Sequence, residues 1–225
     1  MSTCVDYKNF KLSKLFTKEY RHLLLLLYVP LHILLFIIVE GIYDPERAHV
    51  MYSPLDDIIP FVEAFIIPYI LWYAYLVGVG IYLMFCDVAC FKRMMYFIIL
   101  TFFTSVLIYI FLPTIQPLRP DVFPRDNVFT RMIGLIYSID PPNNVCPSLH
   151  VVGSFAAFFG VLDSKRFSKL YKILGAVLCL SIVASTVFIK QHSVLDILGG
   201  LIMTGVGVLA VYVLPKLIKR KKGSD

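Results

Sequence analysis

Two short strings in this chain hold the residue types and spacings that do chemistry. They are Cys146-Pro147-Ser148-Leu149-His150 and Lys190-Gln191-His192-Ser193-Val194-Leu195-Asp196. Each sets a histidine where an apolar run begins. Asp196 lies about one helical turn beyond His192, so its carboxylate can reach back to one ring nitrogen. A ring held in that way keeps its other nitrogen free to attack or to carry a proton. In the first string, Pro147 suits an opening helical turn, because its missing N–H would have had no partner there. A helix is therefore predicted to start near Cys146, and the free N–H groups of such a start favour an anion. Ser148 would add a hydroxyl donor. His150, in the same turn, is placed to protonate a leaving oxygen.

Each feature also has a plainer explanation. The first string fits an interfacial helix cap with a chance histidine. Ser193-x-x-Asp196 fits a capping box opening the next helix, which competes with the His192–Asp196 pairing unless the carboxylate serves both. Lys190, at the outer end of a helix, is by itself an interfacial anchor. Arg119, in Gln116-Pro117-Leu118-Arg119-Pro120, is held stiffly between prolines, and its fork matches phosphate oxygens. Cys146, His150, His192 and Asp196 are all zinc-ligand types, but Arg119 and Lys190 in the same pocket would repel a cation. Taken together, the set suits phosphoryl transfer without a metal or cofactor. His192 would attack phosphorus while Asp196 holds its tautomer. His150 would protonate the departing oxygen and then act as base when water releases phosphate. Arg119, Lys190 and Ser148 would hold the equatorial oxygens.

Membrane helices must position these groups. Of the 225 residues, 59% are hydrophobic and 16% charged, and mean hydropathy is +0.79. Soluble domains carry about a quarter charged residues. The expected fold class is therefore all-α: a polytopic membrane protein, a six-transmembrane-helix bundle with an outward-facing site. Apolar stretches lie at about 23–42, 58–86, 94–112, 147–162, 171–189 and 194–214. Most approach the roughly 20 residues that cross a ~30 Å hydrocarbon core; the fourth is short. The first stretch reads as a retained helix, since its apolar core is too long for a cleavable signal and no small-residue site follows. With six spans the termini share a side that would hold 16 of the 21 Lys and Arg residues, against 5 on the other. That excess places both termini in the cytoplasm of a multi-pass cell-membrane protein, with the histidines facing outward. The net charge of +6 follows from this topology. Its basic clusters suit membrane lipids, and their scatter among short segments argues against nucleic acid. The five cysteines offer no disulfide framework.

One membrane domain, 23–214, is expected between a basic leader, 1–22, and a basic tail, 215–225. The leader reads either as an amphipathic helix in the inner headgroup region or as a disordered arm. Segment 113–146 is the outlier, an outward connection rich in proline; loops this long tend to be functional. Within it, Val128–Tyr137 is predicted as a short surface helix.

In order, Arg-Pro, Pro-Ser-x-His, and Ser followed by His-x-x-x-Asp resemble the type 2 phosphatidic acid phosphatase and haloperoxidase superfamily. The resemblance covers roughly residues 110–200. It implies a six-helix membrane core and a metal-free histidine mechanism. Arg119-Pro120 matches the end of the first motif. Pro147, Ser148 and His150 match the second, with Leu149 where glycine is commonest. Ser185, His192 and Asp196 match the third, and the match makes Ser185 a phosphate-binding candidate. Two family cations are replaced, by Leu112 and Thr186, and Lys190 is expected to stand in for one. Similar losses and a Pro-Ser-Leu-His string look like the branch containing fungal inositol phosphorylceramide synthase. The resemblance thus implies a lipid phosphatase acting on a phosphorylated lipid, with a lipid phosphotransferase using an alcohol acceptor as the alternative. A non-catalytic membrane carrier or scaffold is a third possibility. The charge count yields a first test: a cysteine at Asn127 should react with an impermeant thiol reagent on intact cells. Reaction only after the membrane is opened would reverse the orientation.

Overall fold

The computed structural model describes residues 5–222, so residues 1–4 of the leader and 223–225 of the tail lie outside the described residues. The chain is mostly helical. A 3-10 helix, Arg21–Leu27, runs into α1, Tyr28–Gly41. After it come α2, Pro54–Ile58; α3, Ile66–Cys86; α4, Val88–Phe111; and α5, Val128–Ile139. The remaining helices are α6, Leu149–Asp163; α7, Lys169–Phe188; α8, Val194–Val208; and α9, Leu214–Lys222. A π-helical turn, Leu209–Val213, joins α8 to α9. Among the described residues, five helices are long and apolar enough to cross a membrane: Arg21–Gly41, Glu63–Cys86, Val88–Phe111, Lys169–Phe188 and Val194–Ile218.

The sixth apolar helix, α6, has 15 residues, or ~22 Å at 1.5 Å per residue. It is also the most enclosed, packed against α3, α4, α7 and α8. Its sequence explains this placement. Gly153, Ser154, Ala156, Ala157 and Gly160 are all buried on it, and small side chains let neighbouring backbones approach. At the crossing with α8, a Cβ on Gly200 would sit 2.7 Å from Val151 Cβ and 3.1 Å from the Ser148 carbonyl. The helix that carries one motif is thus pressed directly onto the helix that follows the other.

Helix ends differ from the apolar stretches where local chemistry intervenes. The stretch expected from residue 58 does not become helix until Glu63, because α2 ends at Ile58 and Pro60 has no N–H to continue it. The stretch expected from residue 94 starts earlier, at Val88, where the Asp87 carboxylate accepts from Cys90 N at 3.3 Å. The leader does not form the interfacial helix that was one expectation. It makes 3-10 turns at Tyr7–Asn9 and Leu12–Lys14. Tyr7 pins it to the bundle, with its hydroxyl donating to the Met84 carbonyl at 2.8 Å and meeting His22 Nε2 at 2.7 Å.

Segment 113–146 is ordered by backbone pairing and by the expected helix, which appears as α5. Strand β1, His49–Val50, runs parallel to β2, Thr114–Ile115. Gln116 N donates to the Pro142 carbonyl at 2.9 Å and Asn144 N to the Thr114 carbonyl at 2.7 Å, which closes the segment on itself. Asn127 caps α5 by accepting from Phe129 N and Thr130 N at 2.9 and 3.1 Å. Val122, 81% exposed, is therefore the less disruptive cysteine site for the topology test. Gly200→Ala should cost about 1–3 kcal/mol by overpacking the α6–α8 crossing. A thermal melt in detergent checks this. Gly205, with nothing within 4 Å of an added Cβ, is the control and should tolerate alanine.

Candidate active site

α8 starts with two side-chain caps. Ser193 is its N-cap, accepting from Leu195 N at 3.1 Å, and Asp196 closes the capping box by accepting from Ser193 N at 2.9 Å. The same oxygen, Asp196 Oδ2, meets His192 Nδ1 at 3.2 Å. The two competing readings of Asp196 are therefore both realised, on one oxygen, while Oδ1 is buried without a partner among the described residues. A carboxylate on Nδ1 holds the proton there and leaves the Nε2 lone pair free. The backbone fixes the ring as well. His192 N and Gln191 N both donate to the Thr186 carbonyl, at 3.1 and 2.9 Å, folding the end of α7 against the start of α8.

α6 starts beside it. Ser148, fully buried, is the N-cap, accepting from Val151 N at 3.4 Å. Pro147 precedes the cap, so the helix opens later than expected, at Leu149. Ser148 N donates to the Asp196 backbone carbonyl at 3.2 Å, which joins the two helix starts. His150 lies in the first turn of α6, its ring 5.8 Å from that of His192. Tyr69 stacks on it at 4.3 Å and Trp72 lies at 4.6 Å. Both histidines are 8% exposed, and His150 Nε2 is buried with no hydrogen-bond partner among the described residues.

Arg119 stands one residue away from this pair, through Gln191. Its Nη2 donates to Gln191 Oε1 at 2.6 Å and to the Asp140 carbonyl at 2.5 Å, and its Nη1 to the Tyr137 carbonyl at 3.0 Å. The guanidinium lies 4.2 Å over the Tyr137 ring, and Nε is buried without a partner among the described residues. Gln191 Nε2 bonds Asp140 Oδ2 at 3.1 Å, and Tyr69 donates to that oxygen at 3.2 Å. Burial pushes the Asp140 carboxyl up from its usual range, against the pull of the neighbouring His192 and Arg119.

The other expected phosphate ligands are engaged elsewhere. Lys190 adopts a left-handed backbone with φ 54°. Its Nζ donates to the Asp56 and Ile59 carbonyls, both at 2.6 Å, so the ammonium holds the 56–59 turn instead of facing the histidines. Ser185 is fully buried within α7, and its hydroxyl donates to the Ile182 carbonyl at 2.6 Å. Leu112, where the family pattern has lysine, is 54% exposed. Cys146 Sγ lies 3.9 Å from the Leu195 carbonyl. Among the described residues, no three His, Cys, Asp or Glu side chains converge in a way that could hold a metal ion.

Asp56 is the structural residue that sequence reasoning missed. It caps α2 and, from there, reaches the start of α8. Its Oδ2 accepts from Ser193 Oγ at 2.6 Å and Ser53 N at 2.8 Å, and its Oδ1 from Val194 N at 2.8 Å. The local signal was the Ser53-Pro54-x-Asp56 capping box; the long-range half had none. Tyr69 and Trp72, one turn apart on α3, were hidden in an apolar run.

Comparison with protein-family models, with curated proteins and with solved structures finds no match for this chain.

Asp56→Ala would strand two donors at the start of α8, Ser193 Oγ and Val194 N, and one at the start of α2, Ser53 N. With buried unpaired donors at about 1–3 kcal/mol each, the variant should lose several kcal/mol and much of its melting temperature. Asp57 is exposed and bonded only to Tyr52 among the described residues, so Asp57→Ala should stay near wild type. Equal melting of the two variants would deny Asp56 its role.

Proposed function

We propose that the chain is a six-span integral membrane phosphatase with both termini cytoplasmic. On this reading it hydrolyses a phosphorylated lipid at the outer leaflet through a metal-free phosphohistidine. One observation carries the reading: a carboxylate-backed His192 with a free Nε2, 5.8 Å ring to ring from a second histidine, where two helix starts meet. Intramembrane ionisable groups are expensive to bury, and a pair arranged in this way favours function over packing.

The chemistry runs in two steps. His192 Nε2 attacks phosphorus, the P–O bond to the lipid breaks, and the lipid oxygen leaves with a proton from His150. Water then attacks the phosphohistidine, giving its proton to His150, and inorganic phosphate leaves as the N–P bond breaks. Asp196 stabilises the charged His192 ring. The free N–H groups at the start of α6, with the Ser148 hydroxyl proton, serve the phosphoryl oxygens. Arg119 sets the local potential, and its unpartnered Nε is the donor left for an oxygen. Lys190 acts on this reading by positioning His192, not by touching phosphate.

The burial of both rings, with Tyr69, Trp72 and Tyr73 packed around that of His150, favours a second reading, in which an alcohol replaces water as the acceptor. Purified protein in detergent, given a panel of phosphorylated lipids with and without alcohols, separates the two by the product formed. Turnover should persist in EDTA and stop with vanadate. His192→Ala should abolish any acid-labile phosphoenzyme. His150→Ala should slow poor leaving groups by about 10²–10⁴ and good ones far less. A phosphoenzyme in His192→Ala, or identical leaving-group dependence in both variants, would refute the assignment. No turnover of any lipid would leave the carrier reading.

A further inference from the structure

The end of the bundle away from the histidines holds a second site. His150 opens α6, and at the far end of that helix Asp163 pairs with Arg93, near the start of α4, at 2.5 Å. A cavity of about 380 Å³ lies between the 3-10 helix Arg21–Leu27 and the first turns of α4. It is lined by Arg21, His22, Leu24, Leu25, Lys92 and Tyr96. The volume falls in the range of about 300–1,000 Å³ that small ligands occupy.

Charge and polarity narrow the occupant. Arg93 is neutralised by Asp163, but among the described residues no carboxylate lies within ion-pair distance of Arg21 or Lys92. Two uncompensated cations thus border one cavity. Leu24 and Leu25 give it an apolar wall, and Leu26, Leu27 and Val29, which follow on the same span, are exposed. Tyr96, half exposed at the rim, is the amphipathic ring that membrane interfaces favour. His22, 1% exposed, closes the back. The Tyr7 hydroxyl meets its Nε2. A soluble anion would meet the cations but gain nothing from the leucines. A neutral lipid would meet the leucines but leave the cations unpaired.

We infer that this cavity binds the phosphate of an anionic phospholipid from the surrounding bilayer, between Arg21 and Lys92, with its chains along Leu24–Leu27. Basic pockets between membrane helices recognise such head groups. The site is separate from the histidines and does not depend on their chemistry. On the proposed orientation it draws on the cytoplasmic leaflet, where anionic lipids concentrate.

The test is native mass spectrometry of the full chain in detergent, titrated with phosphatidylserine, phosphatidylcholine or inorganic phosphate. Phosphatidylserine should be retained and phosphatidylcholine lost. Each charge at the surface is worth about five-fold, so Arg21→Gln with Lys92→Gln should weaken retention about 25-fold. The exchange Arg21→Lys with Lys92→Arg should keep it, as should Lys18→Gln, a nearby cation outside the cavity. Equal retention of phosphatidylcholine would overturn the site, and so would loss in Lys18→Gln matching the double variant. Displacement of phosphatidylserine by inorganic phosphate would show a free-anion site and overturn the lipid. If the double variant fails to fold, Lys92→Gln alone and the thermal shift of wild type by phosphatidylserine over phosphatidylcholine decide the matter. Phosphatase assays play no part, so this inference and the catalytic reading fail separately.

Discussion

A single buried residue, Asp196, holds the two motifs together. Its Oδ2 accepts from His192 Nδ1 and from Ser193 N, and its backbone carbonyl accepts from Ser148 N. The first contact orients a ring, the second starts α8, and the third brings the start of α6 against it. Gly200 permits the last, because any side chain there would strike Val151 and crowd the Ser148 carbonyl. Asp196 is fully buried. A buried carboxylate is costly unless donors meet it, and here the two donors on Oδ2 each also set a piece of the site. Structural capping and ring orientation are therefore one interaction.

The supports farther out follow the same economy of polar groups. Asp56 binds the α8 start from the 53–58 turn, and Lys190 binds that turn back through two carbonyls. Gln116 donates to the Lys190 carbonyl at 3.0 Å, tying the long 113–146 segment to the same strained residue. Arg119 and Asp140, from that segment, converge on Gln191. The residue before His192 and the one before that are thus gripped by the segment from one side and by the 56–59 turn from the other. Left-handed backbone at a lysine costs of order 1–3 kcal/mol, and these contacts hold it there.

Sequence reading recovered what is local. The His192–Asp196 pairing and the Ser193 capping box follow from spacing alone. The six apolar stretches all became helix, and α5 appeared where a short surface helix was expected. What it missed depends on sequence-distant partners or on side-chain direction. Ser193 and Asp56 are 137 residues apart, so nothing near either announces the bond. Lys190 was read by its charge and its closeness to His192, but its backbone angle turns the ammonium to another loop. The leader was read by composition as either a surface helix or a disordered arm; its described part makes 3-10 turns, and one hydroxyl, on Tyr7, docks it on the Met84 carbonyl.

The short α6 brings these facts to a common cause. A helix of 15 residues that faces lipid would leave polar ends inside the hydrocarbon core, where unpaired backbone groups cost several kcal/mol each. α6 is packed instead against α3, α4, α7 and α8, with nine of its residues buried. Its N-terminal groups can then stay partly unpaired beneath a roof of loop and aromatic side chains, next to two histidines. Both histidines are 8% exposed at this meeting of helix starts, so charges and N–H dipoles there act with little screening by water.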